Sequence, residues 1–426
     1  MRLRIEKAVY GGSGLARADG KAIFVPLSLP GEEVEAAIVT DKGGFATAEL
    51  QSVIERSPAR IDPSCPYFGR CGGCHYQHAS YTSQIEMKIA ILRESLERAH
   101  IADIPAITPV IAAPFGYRNR IRLHVRKNPF SLGYKVRNSH DHLPVDTCPI
   151  AAPLLQRALQ VLNRDGALLN LDQFATEVEL FTDATESSLL LSLWTDRPQG
   201  VGPLCDKIAP VLGRVLPEFQ GIDILAASHR KGVDRSIAHR GAEMLRYSVA
   251  NRTYRVSLNS FFQVNRFLID SMIAIVSSGE TGAIAWDLYA GVGLFSVPLA
   301  DTFSQVVAVE SSASAVRDLR ENLRGAGHRA VAADTVAFLR EAVNERLPTP
   351  DLVVVDPPRA GLGREVATIL GRIRPRNITY VSCDPATLSR DLATLVQSGY
   401  RLKRMHLLDL FPQTFHLESI THLLLE

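Results

Sequence analysis

Five short apolar runs in the last third of this chain each end on a polar residue or a glycine-rich turn, and helical stretches lie between them. They are Ala285–Tyr289 with the turn Ala290-Gly291-Val292-Gly293, then Gln305–Glu310, His328–Asp334, Leu352–Asp356 and Ile378–Cys383. Such alternation dictates a parallel sheet, because successive parallel strands need right-handed crossovers that cover both faces. All five run ends therefore share one rim, the edge where open α/β sheets bind ligands. Two further strands, Arg401–Leu410 and Ser419–Glu426, are separated only by Phe411-Pro-Gln-Thr-Phe-His-Leu-Glu418. That connection is too short for a crossover helix, so these two strands are expected to be antiparallel. With the first of them parallel to the rest, the connection falls on the same rim and brings Glu418 to Cys383.

Cys383 ends its run, and a helix-like segment starts after Pro385. An isolated cysteine at a strand end is ordinarily a small buried hydrophobe. What argues for a reactive thiol here is its company: Glu310, Asp334, Asp356 and Glu418 belong to the same rim. Gly291 and Gly293 let the backbone come close to a ligand, and Glu310 stands where an acid takes ribose hydroxyls in related folds. For each acid the plainer alternative is a helix N-cap, Asp334 above all.

The stretches DLYAGVGLF, VVVDPPRAGL, YVSCDPATLSRDL and FPQTFHLE, with Asn259-Ser-Phe-Phe-Gln263-Val-Asn265 upstream, resemble the motifs of RNA uracil-5-methyltransferases. The glycine turn alone would be weak, since dinucleotide enzymes share it. The resemblance implies a class I, Rossmann-like domain dependent on S-adenosylmethionine and closed by an antiparallel terminal hairpin. It implies that Gln263, Tyr289, Glu310 and Asp356 bind that cofactor, with Asp334 a candidate for the adenine. Cys383 is then the nucleophile that adds to carbon 6 of uracil, and Glu418 the base that removes the carbon-5 proton. A free thiol is only a few per cent ionised at neutral pH, so a cation should help, with Arg359 and Arg390 as candidates. Leu294 after the turn and Asp384 after the cysteine depart from the family pattern, and neither is a reacting group. Other chemistries fit less well. Amine methylation wants an aromatic residue where Arg359 stands, RNA cytosine-5 methylation a second cysteine after the fourth strand, and radical methylthio transfer a different cysteine triad. A non-catalytic RNA-binding protein would have no use for Cys383 and Glu418 at one rim.

Three units are expected: 1–60, 61–258 and 259–426, with 80–111 packing on the last. Alternating segments punctuated by Gly11-Gly-Ser-Gly14, Leu29-Pro-Gly31 and Lys42-Gly-Gly44 predict a small β-barrel in the first. Gly11–Arg17 and Leu29–Glu32 resemble the OB-like TRAM module, which binds RNA. The second is expected to be α/β and holds Cys65-Pro-Tyr-Phe-Gly-Arg-Cys71-Gly-Gly-Cys74, with Cys148 far downstream. By spacing alone zinc, on these three cysteines and His75 or His78, competes with a [4Fe–4S] cluster that adds Cys148. The resemblance to the uracil-methyltransferase branch acting on ribosomal RNA favours the cluster on Cys65, Cys71, Cys74 and Cys148. Cys205 is expected to be structural. Ser83-x-x-Glu86 reads as a capping box opening a supporting helix. Arg118, Arg120, Arg122 and Arg126, alternating with Ile121, Leu123 and Val125, predict a one-sided basic strand suited to phosphates. Residues 150–258 carry no assignable motif.

A net charge of +2, six cysteines and a 46% hydrophobic fraction describe an ordinary globular enzyme and no secreted disulfide scaffold. The sequence shows no signal core and no membrane span, so a cytoplasmic monomer is expected. Its partner is expected to be RNA, ribosomal before transfer RNA.

Overall fold

The computed structural model describes residues 1–226, 235–277 and 279–426. The alternation in the last third builds an eight-stranded sheet. Its order is Arg329–Ala332, Phe303–Glu310, Gly282–Leu288, Leu352–Val355, Asn377–Ser382, Glu418–Leu425, Tyr400–Leu408 and Ile107–Val110. The first five strands are parallel neighbours. Glu418–Leu425 inserts antiparallel between Asn377–Ser382 and Tyr400–Leu408, which makes those two parallel to each other. The sheet is covered on both faces: Val353 and Val355 enter one core while Leu352 and Val354 enter the other, as the two-residue strand period requires.

One strand of this sheet comes from far upstream. Ile107–Val110 pairs in parallel with Tyr400–Leu408, and the helix before it, Tyr81–Arg98, buries Ile85, Met87, Ile91, Leu92 and Leu96. That helix begins one turn earlier than the Ser83 box predicts. Its N-cap is Ser80, whose hydroxyl accepts from the Ser83 N–H at 3.3 Å, so Ser83 lies inside the first turn.

Residues 2–55 form a six-stranded sheet around a small core of Leu3, Ile5, Ala16, Ile23, Val25 and Val34. Three register shifts between Glu33–Asp41 and Phe45–Glu55 bend this pair sharply. The unit docks on the large sheet through Ala8 and Leu29, which join its core, and through Lys7, 2.5 Å from Glu94. A seven-stranded mixed sheet spans His142–Pro144 to Arg235–Gly241 and packs on the helices Pro153–Asp165 and Gly202–Val215. Cys205 is buried there. The hairpin Met244–Val249 and Arg252–Ser257 buries Leu245, Tyr247, Tyr254 and Val256 in the core of the large sheet, although it precedes the boundary expected at 258.

The basic strand exists, as Arg120–Arg126, and two of its arginines are engaged within the protein. The Arg120 guanidinium lies 3.8 Å over the Phe181 ring and donates to the Ser260 carbonyl at 3.0 Å. Arg122 lies 3.7 Å over Trp194 and 2.5 Å from Glu177. The neighbouring strands supply aromatic faces and carboxylates that absorb this charge.

Candidate active site

The ladder brings the two predicted reacting groups together. Ser382 pairs with Ser419, so Cys383, one residue beyond the strand, and Glu418, one residue before Ser419, stand side by side at the rim. Glu418 is buried and Cys383 half-exposed. Burial, then Glu418 and Asp356, push the Cys383 thiol up to about 12, and Arg359 opposes them. Burial and Asp356 likewise raise the Glu418 carboxyl well above the usual range. Burial and Asp287 carry Asp356 to about 7. Burial and the neighbouring carboxyls therefore disfavour the thiolate in the resting site. Of the two cations proposed as helpers, Arg390 is engaged elsewhere: it donates to Asp391 at 3.0 Å and to the Ala360 carbonyl at 2.8 Å. Arg359 is exposed and meets His416 Nδ1 at 3.3 Å. Burial and Arg359 hold His416 down at about 4, so its neutral ring can accept that contact.

On the same rim, two strands away, the strand Gly282–Leu288 ends in the glycine turn. Tyr289, Gly291 and Gly293 all have positive φ (63°, 56° and 90°), a left-handed path that is strained for the tyrosine. An added Cβ at Gly291 would enter open space, whereas at Gly293 it would meet Leu319 at 2.8 Å. Glu310 is fixed by three backbone donors: Gly291 N–H at 2.9 Å, Ser311 at 2.8 Å and Ser312 at 2.7 Å. Gln263 is buried, and its carbonyl accepts from Asn119 at 3.0 Å. Asp334 does what the plainer reading expects: Oδ1 caps the helix Thr335–Asn344 through the N–H groups of Val336 and Ala337. Sequence reasoning passed over Asp287, although it ends the first run in DLYAG. Fully buried, it accepts from Ser296 through Oδ2, its Oδ1 has no partner, and burial lifts it to about 7.

The loop from Asp409 to Leu417, which delivers Glu418, is held from every side. Lys88 donates to Asp409 at 2.5 Å and to the Phe411 carbonyl at 3.1 Å. Gln84 exchanges hydrogen bonds with Gln413, at 3.0 Å to its side chain and 3.0 Å from its N–H. The Gln413 carbonyl accepts from the N–H groups of His75 and Tyr76, at 2.8 and 3.0 Å. Tyr117 donates to the Pro412 carbonyl at 3.1 Å, and Asn265 to the Asp409 and Leu410 carbonyls.

The cysteine loop abuts that anchor. Cys65, Cys71, Cys74 and Cys148 are unbridged and line one cavity of about 270 Å³, with Arg118, Gln77 and Tyr134. His75 and His78 do not line it: His75 packs on Phe415 at 4.6 Å and His78 on Phe68 at 5.5 Å. The Cys₃His arrangement is thus not assembled. Among the described residues no three Cys, His, Asp or Glu side chains could hold a single metal ion. The buried Nε of Arg118 has no partner, and the Gln77 amide donates to the Cys74 sulfur.

Residues 218–426 match the model of the tRNA (uracil-5-)-methyltransferase family, and residues 1–51 that of the TRAM domain. An uncharacterized RNA methyltransferase of Aquifex aeolicus is 34% identical over 99% of this chain and 97% of its own length. The 23S rRNA (uracil(1939)-C(5))-methyltransferase RlmD of Pectobacterium carotovorum is 33% identical over 96% of this chain and 90% of its own. The fold is that of the Pyrococcus abyssi tRNA (uracil-54, C5)-methyltransferase, solved with S-adenosyl-L-homocysteine. The TM-score is 0.77 at 24% identity, over 99% of both chains.

Proposed function

The chain belongs to the RNA uracil-5-methyltransferase family, and from that premise we propose that it methylates carbon 5 of one uridine in 23S ribosomal RNA through a covalent cysteine–uracil adduct. The observation that supports this reading is the Ser382–Ser419 pairing, which brings Cys383 and Glu418 to the same end of two adjacent strands. Open space over Gly291 and an immobilised Glu310 suit S-adenosylmethionine, Glu310 taking the ribose and Gln263, Tyr289 and Asp356 the rest of the cofactor. When bound, that cofactor supplies an electrophilic methyl group on a cationic sulfonium.

The protein's own residues do the rest. Carbon 5 of uracil is a poor nucleophile until the Cys383 sulfur adds to carbon 6 and makes an enolate. Cys383 must shed its proton to do so. Glu418 and Asp356, the carboxyls that raise the thiol, are the bases at hand, and Arg359 is the cation that favours the thiolate. After methylation, carbon 5 carries a proton that only a base can remove. A buried carboxylate with a raised pKa is a stronger base than an exposed one, which fits Glu418. Loss of that proton expels Cys383 and restores the ring. The target base must leave its stack to reach the rim.

The cysteine cavity fits a [4Fe–4S] cluster on Cys65, Cys71, Cys74 and Cys148. Its four unbridged thiols, the unpartnered Arg118 Nε and the Gln77 amide on Cys74 support that assignment, since a cluster takes thiolate ligands and donors to its sulfur atoms. Such a cluster would tie the loop before His75 to residues near Cys148, and no step of methyl transfer passes through it. Ribosomal RNA is favoured over transfer RNA by the RlmD-like relatives and the TRAM unit. Both reacting groups come from one chain, so a cytoplasmic monomer is sufficient. Mass-spectrometric mapping of 5-methyluridine in total RNA, with and without the gene, tests the assignment. One 23S site should lose its methyl group, and loss from transfer RNA alone would reassign the target.

A further inference from the structure

One side chain from the N-terminal sheet reaches the catalytic rim. Tyr10 follows the strand Lys7–Val9, and its hydroxyl donates to the carbonyl oxygen of Cys383 at 3.3 Å. We propose that Tyr10 is a positioning residue for the nucleophile, fixing the peptide after Cys383 and with it the direction of the thiol. The inference rests on Cys383 being the nucleophile.

Cys383 needs such a partner because of where it lies. The last ladder pair is Ser382–Ser419, and the next helix is capped by Asp384, so Cys383 occupies the turn between two regular elements. Tyr10 also completes a circuit of contacts around the thiol. Asp384 accepts from the N–H groups of Ala386 and Thr387 at 3.0 Å each. The Thr387 hydroxyl donates to the Arg359 carbonyl at 3.1 Å, and Arg359 meets His416. The His416 ring lies 4.3 Å from Phe415, and Phe415 packs edge-on with Tyr10 at 5.4 Å. Remove the Tyr10 hydroxyl and the circuit opens at the nucleophile itself. Burial and the Asp384 carboxylate keep the phenol protonated, so it remains a donor at any working pH.

The contact is not needed to hold the two units together. Lys7 pairs with Glu94, Ala8 and Leu29 sit in the core of the large sheet, and Gly12 lies directly on the His75 ring. The docking is over-determined, and the hydroxyl is free to serve the turn at Cys383 and Asp384, reaching the Cys383 carbonyl and the Asp384 side chain. Orientation of a nucleophile is worth large rate factors, and small misplacements are felt in kcat rather than in binding.

The test is Tyr10→Phe, which deletes the hydroxyl and keeps the ring against Phe415. Steady-state methylation is measured together with the rate of covalent adduct formation on 5-fluorouridine RNA, whose fluorine cannot leave and traps Cys383. Adduct formation and kcat should both fall about two- to tenfold, the worth of one neutral hydrogen bond, with KM for RNA and the melting temperature unchanged. Wild-type adduct kinetics in the variant would overturn the proposal, as would a raised KM at unchanged kcat or a lowered melting temperature. If the wild-type protein itself forms no adduct, the reading of Cys383 as nucleophile fails, and this inference with it.

Discussion

Replacing Lys88 by methionine should loosen the loop that carries Glu418. The Lys88 ammonium and the Asp409 carboxylate are 2.5 Å apart, with side chains 1% and 0% exposed. Burial alone would lower the lysine's proton affinity, and Asp409 restores part of it. Tyr81 also reaches the Asp409 side chain but carries no positive charge, so in Lys88→Met the carboxylate loses its counter-charge. Methionine fills most of the lysine stem, which leaves the orphaned charge as the main effect, about 3–5 kcal/mol for a broken buried pair. At about 1.4 kcal/mol per decade, that is two to nearly four powers of ten in the constant for local opening. Amide hydrogen exchange reads it directly, because the Asp409 N–H is bonded to Val110 and the Gln413 N–H to Gln84. Both amides should exchange at least about a hundredfold faster, while those of Leu352–Val355 keep their protection, and kcat should fall. Removing both charges, in Lys88→Met with Asp409→Leu, should recover most of the protection. Exchange in the single variant within about threefold of wild type, or a double variant no better than the single, would refute the reasoning.

Three further outcomes are expected. Glu418→Gln keeps the shape but not the basicity, so with RNA and S-adenosylmethionine it should accumulate a methylated protein–RNA adduct that survives denaturing electrophoresis and disappears when Cys383→Ala is added; normal turnover without adduct would make another residue the base. Alkylation of Cys383 in the ligand-free protein, followed by peptide mass spectrometry, should rise about tenfold per pH unit well past pH 9, because burial and two carboxyls hold the thiol near 12 and the thiolate fraction grows with pH until the pKa is reached. A plateau near the ordinary thiol value, about 8.5, would contradict that. Anaerobically purified protein should be brown with about four irons per chain, and Cys148→Ser should lose the colour; colourless protein with stoichiometric zinc would remove the cluster from the account.

The juxtaposition of Cys383 and Glu418 was legible because two local facts forced it: an apolar run that stops on the cysteine, and a connection too short for a helix. The glycine turn and Glu310 were legible for the same reason. What the sequence hid was long-range. Nothing near Ile107–Val110 announces a partner in Tyr400–Leu408, and nothing near Tyr10 or Lys88 points to Cys383 or Asp409. The setting of Arg120 and Arg122 was hidden for a related reason. Alternation assigns side chains to a face but is silent about what covers it, and here Phe181, Trp194 and Glu177 do. Ser83 reads as a cap because a Glu follows it at the right spacing, yet the chain turns into the helix one turn sooner, at Ser80.

The strand order also sets a timetable. Glu418–Leu425 lies between two strands that leave the ribosome before it does, so Asn377–Ser382 and Tyr400–Leu408 must each wait with an open edge facing the gap. Such edges recruit strands from other chains, and long-range closure of this kind is slow. Ile107–Val110 waits longer still, since its neighbour Tyr400–Leu408 is made nearly three hundred residues later. The thiol exists before its carboxyl arrives, and the insertion that seats Glu418 also seals the sheet. A nascent chain therefore lacks that carboxyl while it is most prone to stick to its own kind, and the same eight residues bring both the carboxyl and the closed sheet.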